Sequence, residues 1–176
     1  MRKGLYIIAL LGCLGLVFNC TRPKSEPDAN RISPQAQYKE IKPLEYDIPQ
    51  ELNSALPGLL NDKIRVWKEI SPTINLVAEI KDYSLGKAIN YSAEAFLVLL
   101  AHPEFQEGIE FWIIQVQPSK GGEVLVWGVK PEEVKKYKED GQLKSFFSES
   151  EYVLINDQII EKGEPRIKHF NLAQPE

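Results

Sequence analysis

Apolar and polar positions alternate most regularly from Ile74 to Lys81. Ile74, Leu76, Ala78 and Ile80 point one way, and Asn75, Glu79 and Lys81 the other, which predicts a half-buried strand. The preceding run, Ile64–Ile70, places Ile64, Val66 and Ile70 on one face. With Ser71-Pro72-Thr73 as the turn, the two runs predict a hairpin with one wet face. The period then changes. Leu85, Ala88, Ile89, Ser92, Phe96, Leu99 and Leu100 recur at helical spacing, with Ser84 placed to cap the start and Pro103 just beyond the end. A shorter helix is expected after Pro49, burying Leu52, Ala55 and Leu56 and stopping at Pro57-Gly58.

A second hairpin is predicted from Ile109–Gln117 and Glu123–Val129, around Pro118-Ser119-Lys120-Gly121-Gly122. Pairing Gln117 with Glu123 sets Ile113 opposite Trp127 and Ile114 opposite Val126. One face then carries Phe111, Ile113, Leu125, Trp127 and Val129, and the other Trp112, Ile114, Val116, Val124 and Val126. Tryptophan on a strand is ordinarily core, and Trp67, Trp112 and Trp127 all fall on predicted strands. Yet both faces of this hairpin are apolar, more than one 17-residue helix can cover, so Trp112, Trp127, Ile114 and Val126 are the candidate partner or ligand surface. Pro131-Glu132-Glu133 starts a further helix with Lys135, Lys136 and Lys138 toward its end, and Gly141 stops it. Tyr152–Ile155 and Gln158–Glu161 flank Asn156-Asp157, a two-residue hairpin turn. The tail from Gly163 looks irregular. The fold expected is α+β: an antiparallel sheet of four to six strands in ββαββα-like order, backed by the long helix.

The N-terminus is organised differently. Arg2 and Lys3 precede an uncharged run of 15 residues, Gly4 to Phe18, closed by Asn19-Cys20. That is short of the ~20 residues a membrane-spanning helix needs and has the order of an exported leader. After Cys20 the chain turns polar and proline-rich. Residues 21–47 hold Pro23, Pro27, Pro34 and Pro43 without a sustained apolar period, so they read as a disordered tether reaching about 25–30 Å. The end of that tether, Lys42–Ile48, has the composition of an edge strand. A single domain is expected over 48–176.

A cysteine closing an apolar leader resembles the lipobox of bacterial lipoproteins. The resemblance covers residues 1–20 only and implies a thioether-linked diacylglycerol, acylation with fatty acids such as palmitate, and a cell-envelope location tethered to a membrane, with the leaflet left open. Leu10-Leu11-Gly12-Cys13 is closer to the common motif but would leave Leu14–Phe18 on the mature chain. Val17-Phe18-Asn19-Cys20 is a relaxed version at the right place, so Cys20 is favoured over Cys13. No A-x-A-like cleavage site precedes Cys20 to support plain secretion. One acyl chain holds marginally and two hold stably, so a lipidated Cys20 suffices as an anchor.

Composition narrows the partners. The whole chain has net charge −4, and loss of Arg2 and Lys3 makes it −6 (19 basic against 25 acidic). That balance argues against nucleic acid and against electrostatic docking on anionic lipid. No thiol would remain for a disulfide once Cys13 is removed and Cys20 acylated.

Candidate chemistry is sparse. His102 and His169 stand 67 residues apart without ligand spacing, so neither a metal nor another cofactor is expected. Ser84-Leu85-Gly86-Lys87 matches S-x-x-K, and Lys120-Gly121-Gly122 is similar to the K-T-G element of penicillin-binding enzymes. The chain is too short for that fold, however, and S-D-N is missing, so a helix cap is the ordinary role of Ser84. Glu104, Glu107 and Glu110 read as a solvated rim, and Glu132 and Lys136 as a helix-surface pair. The function expected is a membrane-tethered, non-catalytic binding or structural module meeting an envelope protein. The alternatives are a small hydrolase using Ser84 and Lys87, or a carrier enclosing an apolar ligand between helix and sheet.

Overall fold

The structure, a computed structural model, describes residues 41–70 and 72–162, within a unit that begins at Lys39. The leader with Cys13 and Cys20, most of the tether, the tail from Gly163 and His169 lie outside the described residues.

The fold is α+β: a two-stranded and a five-stranded sheet with four helices. Strand β1 (Leu44–Asp47) pairs antiparallel with β2 (Lys63–Val66), setting Tyr46 opposite Ile64 and Glu45 opposite Arg65. The expected edge strand at the tether's end is therefore present, and folded chain begins ahead of residue 48. Between β1 and β2, helix α1 (Gln50–Ala55) buries Leu52 and Ala55, with Leu56 following. Gly58 then turns the chain at φ +75° with its Cα against the Glu79 carbonyl, where a Cβ has no room.

The larger sheet has the order β3-β4-β5-β6-β7. Strand β3 (Thr73–Ile80) buries Ile74, Leu76, Ala78 and Ile80 and turns Asn75 and Glu79 outward, as its alternation predicts. Its partner differs from the expected one. The chain leaves β2 at Val66 and turns over Trp67–Ile70, with the Ile70 amide donating to the Trp67 carbonyl at 3.1 Å, so Ile70 is exposed. β3 instead runs parallel to β4 (Phe111–Pro118). Its other edge is occupied by residues 58–61: the Leu60 amide donates to Val77 O (2.7 Å), the Glu79 amide to Gly58 O (3.0 Å), and Asn61 Oδ1 accepts from the Val77 amide. Both hydrogen-bonding edges of β3 are thus taken, and none is left for β2. The other three pairings of the sheet are antiparallel.

Helix α2 (Leu85–Ala101) makes the parallel connection. The Ser84 hydroxyl accepts from the Lys87 amide at 3.2 Å, and His102 closes the far end. The expected stripe is buried, apart from Leu100 at its margin. A short 3-10 helix, Pro103–Phe105, leads into β4.

Strand β5 (Leu125–Val129) pairs with β4 one residue away from the expected register. Trp112 lies opposite Val129, Ile113 opposite Gly128 and Ile114 opposite Trp127. The ladder's last pair is Val116 with Leu125, while Gln117 and Pro118 continue only along β3, so the connecting loop is longer than a symmetric turn. Its start is fixed by Asn156, whose side chain accepts from the Val124 amide (2.9 Å) and whose own amide donates to Val124 O (3.0 Å).

Helix α3 (Pro131–Asp140) starts at Pro131, with Glu133 accepting from the Lys130 amide at 2.8 Å, and ends at Gly141 with φ +64°. Helix α4 (Leu143–Glu149), which periodicity does not reveal, follows at once. Strands β6 (Tyr152–Ile155) and β7 (Gln158–Ile159) form the expected hairpin, with Asn156 and Asp157 at φ 52° and 61°.

Two substitutions probe this packing. Gly58→Ala should cost at least about 2 kcal/mol, because a left-handed φ is strained by itself and the new methyl meets backbone that cannot move. Ser92 is fully buried on α2 and its hydroxyl has no hydrogen-bond partner. Ser92→Ala should leave stability unchanged or raise it by about 1 kcal/mol. Urea midpoints at constant slope give both values.

Candidate functional site

The corrected register decides which residues can meet a partner. Trp112, Ile114 and Trp127 are fully buried, all on the helix-covered face. They are core, the ordinary role of strand tryptophans, and form no surface. Each indole N–H is satisfied inside: Trp112 Nε1 donates to Phe105 O at 2.8 Å, and Trp127 Nε1 to Ser150 Oγ at 2.9 Å. Phe96 of α2 reaches both rings, at centroid separations of 6.5 and 5.2 Å. Phe146 and Phe147 of α4 pack on Trp127 at 4.9 and 5.0 Å. Only Val126 of the four expected surface residues points away. Trp67, the third tryptophan, is 38% exposed beyond the end of β2.

The apolar remnant lies on the opposite side of the sheet, and the registers assemble it row by row. One row runs Asn75, Ile113, Gly128, Tyr152, and the next Val77, Gln115, Val126, Leu154, Ile159. Phe111 and Thr73 stand beside the first row, with the Lys130 ammonium 5.7 Å from the Phe111 ring centre. Phe111, Ile113, Val126 and Leu154 are half-buried, while Tyr152 and Ile159 are 42% and 71% exposed. The Tyr152 ring lies across Gly128, its Cδ1 2.6 Å from where a Cβ would stand. Glycine there lets the ring lie flat on the sheet. Among the described residues no helix covers this face: α2 and α4 reach the sheet through the Trp112–Trp127 side, and α1 and α3 pack on α2. Its apolar part spans β4, β5 and β6, three strands at about 4.8 Å spacing and about 15 Å of shared length, roughly 200 Å².

A second concave feature lies between α3 and α4. It encloses about 380 Å³. Its floor is a stacked ring pair, Tyr137 and Phe146, 4.6 Å apart and 8° from parallel. Charged side chains of both signs stand around it, Lys136, Asp140, Glu149 and Lys162 among them.

The remaining sequence candidates fall elsewhere. Ser84 and Lys87 are exposed, and the Ser84 hydroxyl meets the Lys87 backbone amide. Lys120-Gly121-Gly122 sits in the exposed β4–β5 loop, not on a strand. His102 ends α2 with Nδ1 3.4 Å from Glu104. Glu104, Glu107 and Glu110 are exposed, as a solvated rim should be, and Glu132 and Lys136 make no ion pair among the described residues. No group of three or more histidine, cysteine or carboxylate side chains among the described residues could hold a metal ion. No described helix is long and apolar enough to cross a membrane. No family model, no curated protein and no solved structure matches the chain.

Among the described residues, two tyrosines are shifted titratable groups. Burial first, then the nearby Glu123 charge, pushes the Tyr83 hydroxyl from 10 up to about 12, and that hydroxyl has no hydrogen-bond partner. Burial and Glu94 likewise raise Tyr137. Between pH 10 and 12 the unfolded chain therefore loses a proton that the folded chain keeps at Tyr83, and stability falls as pH rises through that window. Denaturant midpoints at pH 9, 10.5 and 12 should show the loss, and Tyr83→Phe should flatten it.

The two faces of β4–β5 should also separate by mutation. Trp127→Phe leaves Ser150 short of its donor and opens a gap, at a cost of about 2–4 kcal/mol. Ile113→Thr with Val126→Thr on the outer face should cost under about 1.5 kcal/mol in total. Thermal unfolding of the three chains tests the assignment.

Proposed function

We propose that this chain is a bacterial envelope lipoprotein: a non-catalytic binding module tied to a membrane through an acylated Cys20, which meets its partner on the outer face of the five-stranded sheet. The observation that carries the binding role is the apolar face of β4, β5 and β6, which no described helix covers. Water-facing sheet surfaces are ordinarily polar, and β3 keeps largely to that with Thr73, Asn75 and Glu79 beside Val77. Its neighbours do not. A face of roughly 200 Å² is about a quarter of what one partner contributes to a standard interface. It fits a small or transient contact, which a tethered protein can use because attachment already raises the local concentration.

The tethering half rests on the leader. Its short positive start, 15-residue apolar run and closing cysteine supply what lipid attachment requires, and the polar stretch that follows supplies reach. The carrier alternative has less support, because Phe96, Trp112 and Trp127 fill the space between α2 and the sheet. The hydrolase alternative would need the Ser84 hydroxyl free to meet an ammonium, and here it caps a helix.

Mass analysis of the mature N-terminus from the native host is the direct test of the anchor. An acylated cysteine at position 20 is expected, and Cys20→Ala should move the protein out of the membrane fraction. A retained Met1 or an unmodified Cys20 thiol removes the anchor. For the face, Ile113→Thr with Val126→Thr in the acylated protein should lose a cross-linked envelope partner while keeping the parent's unfolding midpoint within a few degrees. Retention of the same partner by that variant rules the face out.

A further inference from the structure

We propose that the groove between α3 and α4 binds a short basic peptide through its free carboxylate and its ammonium groups. The inference is independent of the anchor and of the sheet face. A volume of about 380 Å³ falls at the small end of the range for dedicated ligand sites and suits a dipeptide.

The groove follows from an unusual choice of residues. Positions 133, 136, 137 and 140 form one stripe along α3, and 142, 145, 146 and 149 the matching stripe along α4. Helix stripes that face each other normally bury apolar side chains. Here each has one ring, Tyr137 and Phe146, which stack, and every other position is polar. The helices touch at the rings and the flanking groups stand apart. Phe146 has Tyr137 on one side and Trp127 on the other, so the floor is braced from the core. Ser150 at the base is fixed too: its hydroxyl accepts from Trp127 and donates to Phe146 O at 2.8 Å.

The charges give the ligand's chemistry. Lys136 and Lys162 face the same space as Asp140, Glu149 and Glu133. Among the described residues no ion pair within 4 Å joins any of them. Opposite charges that share a groove without pairing can each take a counter-charge from a ligand. Glu133 gives one oxygen to the Lys130 amide and keeps its charge, so three carboxylates against two ammoniums line the groove, and that balance favours a molecule with more ammonium than carboxylate groups, as in a peptide ending in lysine. The Tyr137 hydroxyl, protonated at neutral pH as any tyrosine is, offers a hydrogen-bond donor in the groove. A neutral saccharide would leave these charges unanswered.

The test is amide NMR on the purified full-length chain, with the dipeptide Ala-Lys as probe. The expected result is concentration-dependent shifts confined to residues 133–150 and Lys162. Amidation of the probe's carboxylate should weaken binding at least fivefold in the parent, and in Lys136→Gln with Lys162→Gln that difference should vanish. Asp140→Asn with Glu149→Gln should weaken both probes at least fivefold. All four side chains are exposed, so these variants should keep the parent's spectral dispersion. Should one misfold, raising salt from 50 to 500 mM on the parent replaces it, and must weaken Ala-Lys binding at least fivefold. The proposal is overturned by absent or scattered shifts at 10 mM probe, by equal affinity for the amidated probe, or by N,N′-diacetylchitobiose shifting these amides when Ala-Lys does not.

Discussion

Everything on one side of the large sheet depends on where the Trp127 indole finds an acceptor for its N–H. A buried indole without one would forfeit a hydrogen bond's desolvation cost, about 1–3 kcal/mol, and lose its fixed orientation. Ser150 supplies the acceptor, and it stands at the last turn of α4. Its bond therefore ties the end of α4 to the middle of β5. Phe146 and Phe147 both pack on the ring, and Tyr137 stacks on Phe146, so α3, which packs on α2, is also held through α4. Trp112 does the same at the other end, holding the 3-10 turn after α2 through Phe105 O. Both rings must face inward together for this to work. That requirement selects the observed β4–β5 register over the one a residue away, which would place the two tryptophans on opposite faces.

Once the tryptophans are inside, the outer face is determined by what remains on the same strands. Phe111, Ile113, Val126 and Leu154 end there because they alternate with buried positions, and the chain has no further described helix to lay on them. The edges of the sheet are managed separately. The outer edge of β3 is closed by residues 58–61, and β7 is only two residues long. Short or covered edges prevent edge-to-edge association. With its edges short or covered, the sheet presents its face to its surroundings.

Local elements were legible in the sequence wherever one residue type enforces them. The Ser84 cap, the Gly141 stop, the Pro131 start and the Asn156-Asp157 turn are each visible because their backbone preferences are strong and act within a few residues. The strand faces of Ile74–Ile80 were legible for a similar reason, a strict period of two. Pairing was not. Nothing near Ile64–Val66 says that the edge of β3 is already occupied by the backbone of Leu60 and Gly58, since those bonds use main-chain groups that every residue has. The β4–β5 register escaped because the five-residue Pro118–Gly122 segment resembles a symmetric turn, whereas Asn156, more than thirty residues on, holds Val124 and lengthens the loop. The same one-residue difference hides the outer face: a symmetric turn puts Val126 there but leaves Ile113 on the face of Trp127, whereas the actual register puts Ile113 on the same face as Val126. Helix α4 was missed because its seven residues carry too few apolar positions to show a period, and the groove it forms with α3 was missed with it.

The outer sheet face and the α3–α4 groove break opposite rules, and that contrast bears on what each is for. An antiparallel sheet with one solvated face needs no apolar residues there, so Ile113, Val126 and Leu154 add little to the core and expose the protein to unwanted association. A pair of adjacent helices gains by burying apolar residues between them, so Lys136, Asp140 and Glu149 forgo stability that leucines at those positions would supply. The two departures cannot both be explained by solubility, because the first works against it. Nor can both be explained by packing, because the second does. Sequences depart from local consistency chiefly where a surface has another task, and the chemistry of each departure fits a different one: dispersion and shape on the sheet, charge and hydrogen bonding in the groove. If the module is held near a membrane by one end, as proposed, it has reason to keep both, since an apolar contact would position a partner while a small polar site reads its charge.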